Sequence, residues 1–158
     1  LNPYALSKYV GEQYCELWTK LYGLPTISLR YFNVYGLRQP KEGPYALVLG
    51  IFLKQNKEGH PLTIHGDGSQ RRDFIHVRDV VEANISAYNS SASGMVLNVG
   101  SGTNLSVNEL ADLISEKKVY EARRQGDADE TLADISKIQR VLGWMPKVSF
   151  EEGLKDLM

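Results

Sequence analysis

Tyr4 and Lys8 stand four residues apart. On a helix, that spacing places both side chains on one face. An ammonium beside a phenol favours the phenolate, so such a pair suits general acid or base work. With nine tyrosines in the chain, one Tyr-x-x-x-Lys pair is also what chance supplies. Two arginine pairs, Arg71-Arg72 and Arg123-Arg124, lie in glycine-containing surroundings. Guanidinium forks match the oxygens of a diphosphate, and solvated surface arginines read the same way. Gly100-Ser-Gly102 lacks the third glycine and the immediate helix of a dinucleotide fingerprint. His60, His65 and His76 show no metal-ligand spacing, so no metal site is expected. Cys15 has no adjacent cation to activate it and reads as a small buried hydrophobe.

The elements that must position these groups follow from periodicity and punctuation. Asn2 as cap, Pro3 at the first helical position and Gly23 at the end bracket a helix over Tyr4 to Tyr22. Thr26 to Val34, β-branched and aromatic, reads as one strand, and Gly36 to Gly43 as a loop. Tyr45 to Lys57 carries apolar residues at helical spacing. Leu62 to His65, Asp73 to Val77, Met95 to Val99 and Val119 to Ala122 read as extended segments. Asp79 to Tyr88 reads as a helix. Ser106-Val-Asn-Glu109 and Ser149-Phe-Glu-Glu152 have the form of capping boxes, the first opening a helix to about Lys117. Asp134 is expected to cap Ile135 to Leu142, which Gly143 stops. Strands alternating with helices predict an α/β fold.

The chain has 158 residues, 42% hydrophobic and 23% charged, with a formal net charge of -1. That length suits one compact unit. The near-neutral balance carries no electrostatic footprint for nucleic acid. No apolar run approaches the roughly 20 residues that span a bilayer, and the opening residues lack a charged n-region followed by an apolar h-region, so no secretory signal is expected. A single cysteine suits a reducing compartment, so a cytoplasmic protein without membrane or nucleic-acid partners is expected.

Six segments occur in one order: Asn2-Pro-Tyr-Ala-Leu-Ser-Lys8, Arg30-Tyr-Phe-Asn-Val-Tyr-Gly36, Gly66-Asp-Gly-x-x-x-Arg72-Asp-Phe, Arg124-x-Gly-Asp127, Ala133-Asp-Ile-Ser-Lys137 and Leu142-Gly-Trp144. Together they closely resemble the C-terminal half of the extended short-chain dehydrogenases/reductases, nearest to NAD-dependent nucleotide-sugar epimerases of the UDP-glucose 4-epimerase type. The resemblance implies an α/β fold: the C-terminal part of a Rossmann-like unit plus a small α/β substrate-binding region. In that single partial domain, 1–158, about 1–36 and 73–100 would contribute to the Rossmann-like sheet and helices. About 37–72 and 101–158 would form the substrate region.

The resemblance also implies roles. Tyr4 would be the catalytic base that takes the sugar hydroxyl proton while hydride passes to NAD. Lys8 would bind the nicotinamide ribose, and Phe32 would sit beside the nicotinamide. Asn33 would contact the substrate phosphate, and Ala46 and Leu47, opening a helix, would line the nucleotide site. Thr63, Ile64 and His65 would flank the uracil and ribose. Arg72 and Arg124 would clamp the diphosphate, Asp127 would bind ribose hydroxyls, and Thr131 would wall the sugar C2 substituent.

The family's glycine-rich NAD loop and its catalytic Ser or Thr have no counterpart in this sequence. A truncated chain is therefore expected, one that binds NAD weakly and is inactive alone. It should self-associate or pair with an N-terminal half, and UDP-sugar is the anticipated ligand. Between Ile114 and Val119 the chain runs shorter than the family pattern. Two other readings stay open: a non-catalytic nucleotide-sugar-binding or assembly module, and a piece of a nucleotide-sugar dehydratase or decarboxylase.

Overall fold

A computed structural model describes residues 3–43 and 45–158. Helix α1 (Pro3–Tyr22) leads into β1 (Ile27–Tyr31) and β2 (Asn33–Tyr35). Then come α2 (Val48–Lys57), β3 (Leu62–His65), β4 (Arg71–Arg72), β5 (Phe74–His76), α3 (Val77–Tyr88) and β6 (Met95–Val99). The remainder comprises β7 (Leu105–Ser106), α4 (Val107–Asp112), β8 (Lys118–Glu121), α5 (Ser136–Leu142) and α6 (Phe150–Lys155). β1 pairs with β6, β2 with β5 and β3 with β8, all parallel, while β4 and β7 form a short antiparallel ribbon. The mixed α/β architecture matches the expectation.

The strand foreseen over Thr26 to Val34 is two strands. Phe32 donates its N–H to Val99, and Asn33 donates to Asp73, so the chain changes partner at that point. β2 then divides two cores. Val34 packs with Ile75, Val80, Leu97, Val99 and the Ile138 and Trp144 side chains. Tyr35 packs with Phe52, Leu62, Ile64, Phe74 and Leu110. Period-two alternation along one short strand thus places each of its faces in a different apolar cluster.

Several boundaries moved for identifiable reasons. α2 begins at Val48, with Leu47 at its cap position, so Ala46 and Leu47 precede the helix rather than open it. α3 begins two residues early because His76 Nδ1 accepts from Arg78 N–H and caps it. α4 stops at Asp112. The chain has to turn there so that the Lys117 carbonyl can accept from Leu62 N–H and start the β3–β8 ladder. α5 starts at Ser136, one residue late, with Asp134 accepting from Ser136 N–H. Asn2 lies outside the described residues. The Ser106–Glu109 capping box forms in both directions.

Two buried aspartates tie the layers together. Asp73 accepts from the N–H groups of Ser101, Gly102 and Ala133 and from the Ser101 hydroxyl. A side chain at Gly100 would meet Asp73 Oδ2 at 2.8 Å, which explains the glycine in that turn better than nucleotide binding does. Asp79 accepts from Lys147 and Val148 N–H, and its carbonyl accepts from Trp144 Nε1. Each carboxylate is satisfied entirely by donors of the fold, as burial of a charge requires. α1 differs: none of its described residues is buried.

Candidate active site

A cleft of about 510 Å³ opens between α2, β3 and the segment after β8. Asn33, Ala46, Leu47, Thr63, His65, Arg72, Arg124 and Asp127 line it. These residues come from five separate stretches of sequence, and the fold brings them to one cavity. Ile64 does not join them. Its neighbours on β3 face the cleft while Ile64 points into the core and is fully buried, as strand alternation dictates. Thr131 lies one contact away. Its hydroxyl accepts from Asp73 N–H at 3.2 Å and lies 3.4 Å from Asn33 Nδ2, and its N–H donates to the Arg71 carbonyl. Asn33 Nδ2 also donates to the Asp73 carbonyl at 2.9 Å.

The two arginine pairs divide their labour. Arg71 is consumed by the fold: it donates to Asn104 Oδ1 and to the Asn104 carbonyl, and it pairs with Glu109 at 3.2 Å. Arg123 is held by Asp129 and the Asp127 carbonyl. Arg72 and Arg124, the second member of each pair, face the cleft. Glu109, which receives both the Ser106 N–H and Arg71, is held below the usual carboxylate range, chiefly by the Ser106 backbone bond. Two guanidinium groups on one cavity wall can chelate a polyanion. Leu47, Val48, Ile51 and Phe52 supply an apolar wall. Among the described residues, no side chain caps the N-terminus of α2, which lies at the cleft's edge.

Gln55, Gln70 and Glu121 also line the cleft and were not anticipated. Gln55 follows Ile51 and Phe52 by four and three residues. It therefore lies on the face of α2 that meets β3, a polar residue on an apolar stripe, and that was the available signal. Glu121 stands 3.6 Å from His65 Nδ1.

Tyr4 and Lys8 lie in a second, open cleft of about 860 Å³, formed by one face of α1 and by β1. The Lys8 ammonium sits over the Tyr4 ring, 5.3 Å from its centroid, and Tyr4 is 65% exposed. Glu12 holds Arg30 bidentately at 2.6 and 2.7 Å across this cleft. Cys15, expected to be buried, is half-buried on the same wall. Phe32 is half-buried and lines neither cleft. No helix among the described residues is long and apolar enough to cross a membrane.

Comparison with known proteins gives one answer. Residues 1–100 match the NAD dependent epimerase/dehydratase family. A putative UDP-glucose 4-epimerase of Methanocaldococcus jannaschii is 42% identical over 98% of this chain and 52% of its own length. A UDP-N-acetyl-alpha-D-glucosaminuronate decarboxylase of Bacillus cytotoxicus is 36% identical over 97% of this chain and 51% of its own. The crystal structure of UDP-glucose 4-epimerase with UDP-glucose from Thermotoga maritima superposes with a TM-score of 0.95 at 40% identity, covering 99% of this chain and 52% of that one. The chain therefore spans about half the length of the curated relatives it matches. Its fold is the Rossmann-like α/β fold of these epimerases, and the chain belongs to the NAD dependent epimerase/dehydratase family.

Proposed function

We propose that this chain is the substrate-binding and catalytic-tyrosine half of an NAD-dependent nucleotide-sugar epimerase of the UDP-hexose 4-epimerase type. The observation that carries the reading is the single cleft onto which Arg72, Arg124, Asn33 and Asp127 converge beside an apolar wall. In this reading the wall takes the base, the two arginines take the diphosphate, and Asp127 takes ribose hydroxyls. A UDP-glucose 4-epimerase with UDP-glucose is among the structures superposing most fully, which supports the substrate class.

Tyr4 and Lys8 would fit the nicotinamide end of NAD. They share one face of α1, and the cleft beside them is wide enough for a ring and ribose. NAD would supply hydride acceptance and return. Within the chain, the Tyr4 oxygen takes the proton of the sugar hydroxyl as hydride leaves its carbon, and returns it when hydride comes back to the other face of the ketone. Lys8, which lies over the Tyr4 ring, would orient the ribose. The rest of the NAD site would come from the NAD-binding half, which is also what would cover the apolar residues of α1. The chain alone would be inactive and would associate, with itself or with such a half.

Thr131, bonded to Asn33, would gate the sugar C2 substituent, a small residue leaving room for an N-acetyl group. A UDP-N-acetylglucosamine 4-epimerase of Methanobrevibacter ruminantium, in complex with UDP-N-acetylmuramic acid, superposes with a TM-score of 0.92 at 37% identity. That likeness supports acceptance of the larger sugars. The decarboxylase among the relatives keeps decarboxylation as a second reading.

The test is complementation. The chain is co-expressed with the NAD-binding half of a close relative, and interconversion of UDP-glucose and UDP-galactose is assayed. Activity that falls about 10²–10⁴-fold with Tyr4→Phe is the expected result. Full activity with Tyr4→Phe, or decarboxylation in place of epimerisation when UDP-glucuronic acid is supplied as a second substrate, overturns the reading. Thr131→Tyr is expected to lower turnover of N-acetylated relative to plain sugars; an unchanged ratio removes Thr131 as the gate.

A further inference from the structure

Gln55 and Thr63 are joined twice across the cleft wall. Thr63 N–H donates to Gln55 Oε1 at 3.0 Å, and Gln55 Nε2 donates to Thr63 Oγ1 at 2.9 Å. The first bond fixes the orientation of the amide. A backbone N–H can only donate, so the oxygen of Gln55 must face it and the nitrogen must face the hydroxyl. Thr63 Oγ1 therefore accepts from Gln55, and its own proton is left to be given elsewhere. Among the described residues, no acceptor takes that proton. Thr63 and Gln55 both line the cleft, beside the apolar residues Leu47, Ile51 and Phe52. The other side of the β3 strand is committed to β8.

We infer that Gln55 is a positioning residue that makes Thr63 an obligate hydroxyl donor into the cleft, selecting a nucleobase with a 4-oxo over one with a 4-amino group. The inference rests on the reading of this cleft as the nucleotide-sugar site. A base lying on the Leu47, Ile51 and Phe52 wall turns its ring edge to β3. An oxo group there accepts the Thr63 proton. An amino group meets a second donor and leaves both unpaired, and that mismatch is where discrimination between hydrogen-bonding groups is largest. Thr63 reads the base, and Gln55 acts through it.

The substitution Gln55→Glu tests this with almost no change in shape. One carboxylate oxygen keeps the Thr63 N–H bond. The other can only accept, so it captures the Thr63 proton and turns the lone pairs of the hydroxyl toward the cleft. The readout is the ratio of UDP to CDP affinity, measured by calorimetric titration of the 158-residue chain. The added charge acts equally on the two diphosphates, and any direct effect on the base is read by adding Gln55→Glu to Thr63→Val. The parent chain is expected to prefer UDP about tenfold or more, and Gln55→Glu to reduce that preference at least about fivefold. Thr63→Val should erase it, Gln55→Glu added to Thr63→Val should change the ratio no further, and Thr63→Ser should retain it. A UDP preference that survives Gln55→Glu, or a parent chain that binds UDP and CDP equally, overturns the inference while leaving the nucleotide site intact. If neither nucleotide binds the parent chain, the reading of the cleft itself is overturned.

Discussion

The two clefts of this molecule are built in opposite ways. The one holding Arg72 and Arg124 is walled by elements anchored in two apolar cores, and the buried Asp73 carboxylate ties its floor strand to the Ser101 turn and to Ala133. The one holding Tyr4 and Lys8 leans on a 20-residue helix with no buried side chain. That helix exposes Tyr9, Val10, Tyr14, Leu17, Trp18 and Leu21. A patch of such residues on one helix exceeds what an isolated surface needs. In the proposed function the first cleft would draw its geometry from these residues and the second would be one wall of a site, so groups that recognise a ligand would be held independently of groups that react with it.

The largest difference between the regions should appear on removing Asp73. Asp73→Leu removes the acceptor of the buried Ala133 N–H and of the half-buried Ser101 and Gly102 N–H groups, at a cost of about 3–5 kcal/mol. Urea unfolding monitored by Trp144 fluorescence measures it. A loss below about 1 kcal/mol would show that the anchor is dispensable.

Arg124→Ala should weaken UDP binding about 10–100-fold with little change in stability, while Arg71→Ala should cost about 1–3 kcal/mol of stability through its lost bonds to Asn104 and Glu109. The family resemblance picked out Arg72 and Arg124, but residue types and spacing alone did not separate the members of either pair. Which member of a pair is spent on structure depends on Asn104, 33 residues from Arg71, and on Asp129, six residues from Arg123 in the following loop, contacts that helix or strand periodicity does not announce. Fold class and most elements were legible because periodicity and caps are local. Ile64 was misplaced by treating Thr63 to His65 as a block, although period-two alternation already separates its faces. Asp73 and Asp79 looked like ordinary polar residues at element ends. Their burial follows from donors at residues 101–102, 133 and 147–148.

His76 ties stability to pH. Burial pushes its imidazole below the ordinary value of 6.5, with the Arg78 charge adding to the effect. The unfolded chain therefore takes up a proton first as pH falls. The contribution of neutral His76 is fully present above pH 6.5 and is lost as pH drops through that value toward the lower folded one. Chemical denaturation between about pH 7.5 and 5 should show this fall, and His76→Asn, which can still cap α3, should flatten it. An unchanged slope in the variant would assign the pH dependence to other groups.

The smallest effect on stability belongs to α1. Leu17→Ala is expected to change unfolding free energy by less than about 0.5 kcal/mol, whereas Leu110→Ala, fully buried, should cost about 2–5 kcal/mol. Leu17→Asp should instead shift sedimentation toward the monomer, because the exposed α1 face is what the chain would use to associate. Identical sedimentation of parent and variant would move the association surface elsewhere.

The independence of the two clefts is tested most directly by titrating the isolated chain with UDP-glucose and, separately, with NAD. The account predicts saturable one-to-one binding of UDP-glucose that Arg124→Ala weakens about 10–100-fold and Tyr4→Phe leaves unchanged, with no tight binding of NAD. Tight NAD binding without any for UDP-glucose, or UDP-glucose binding that depends on Tyr4 and ignores Arg124, would contradict it.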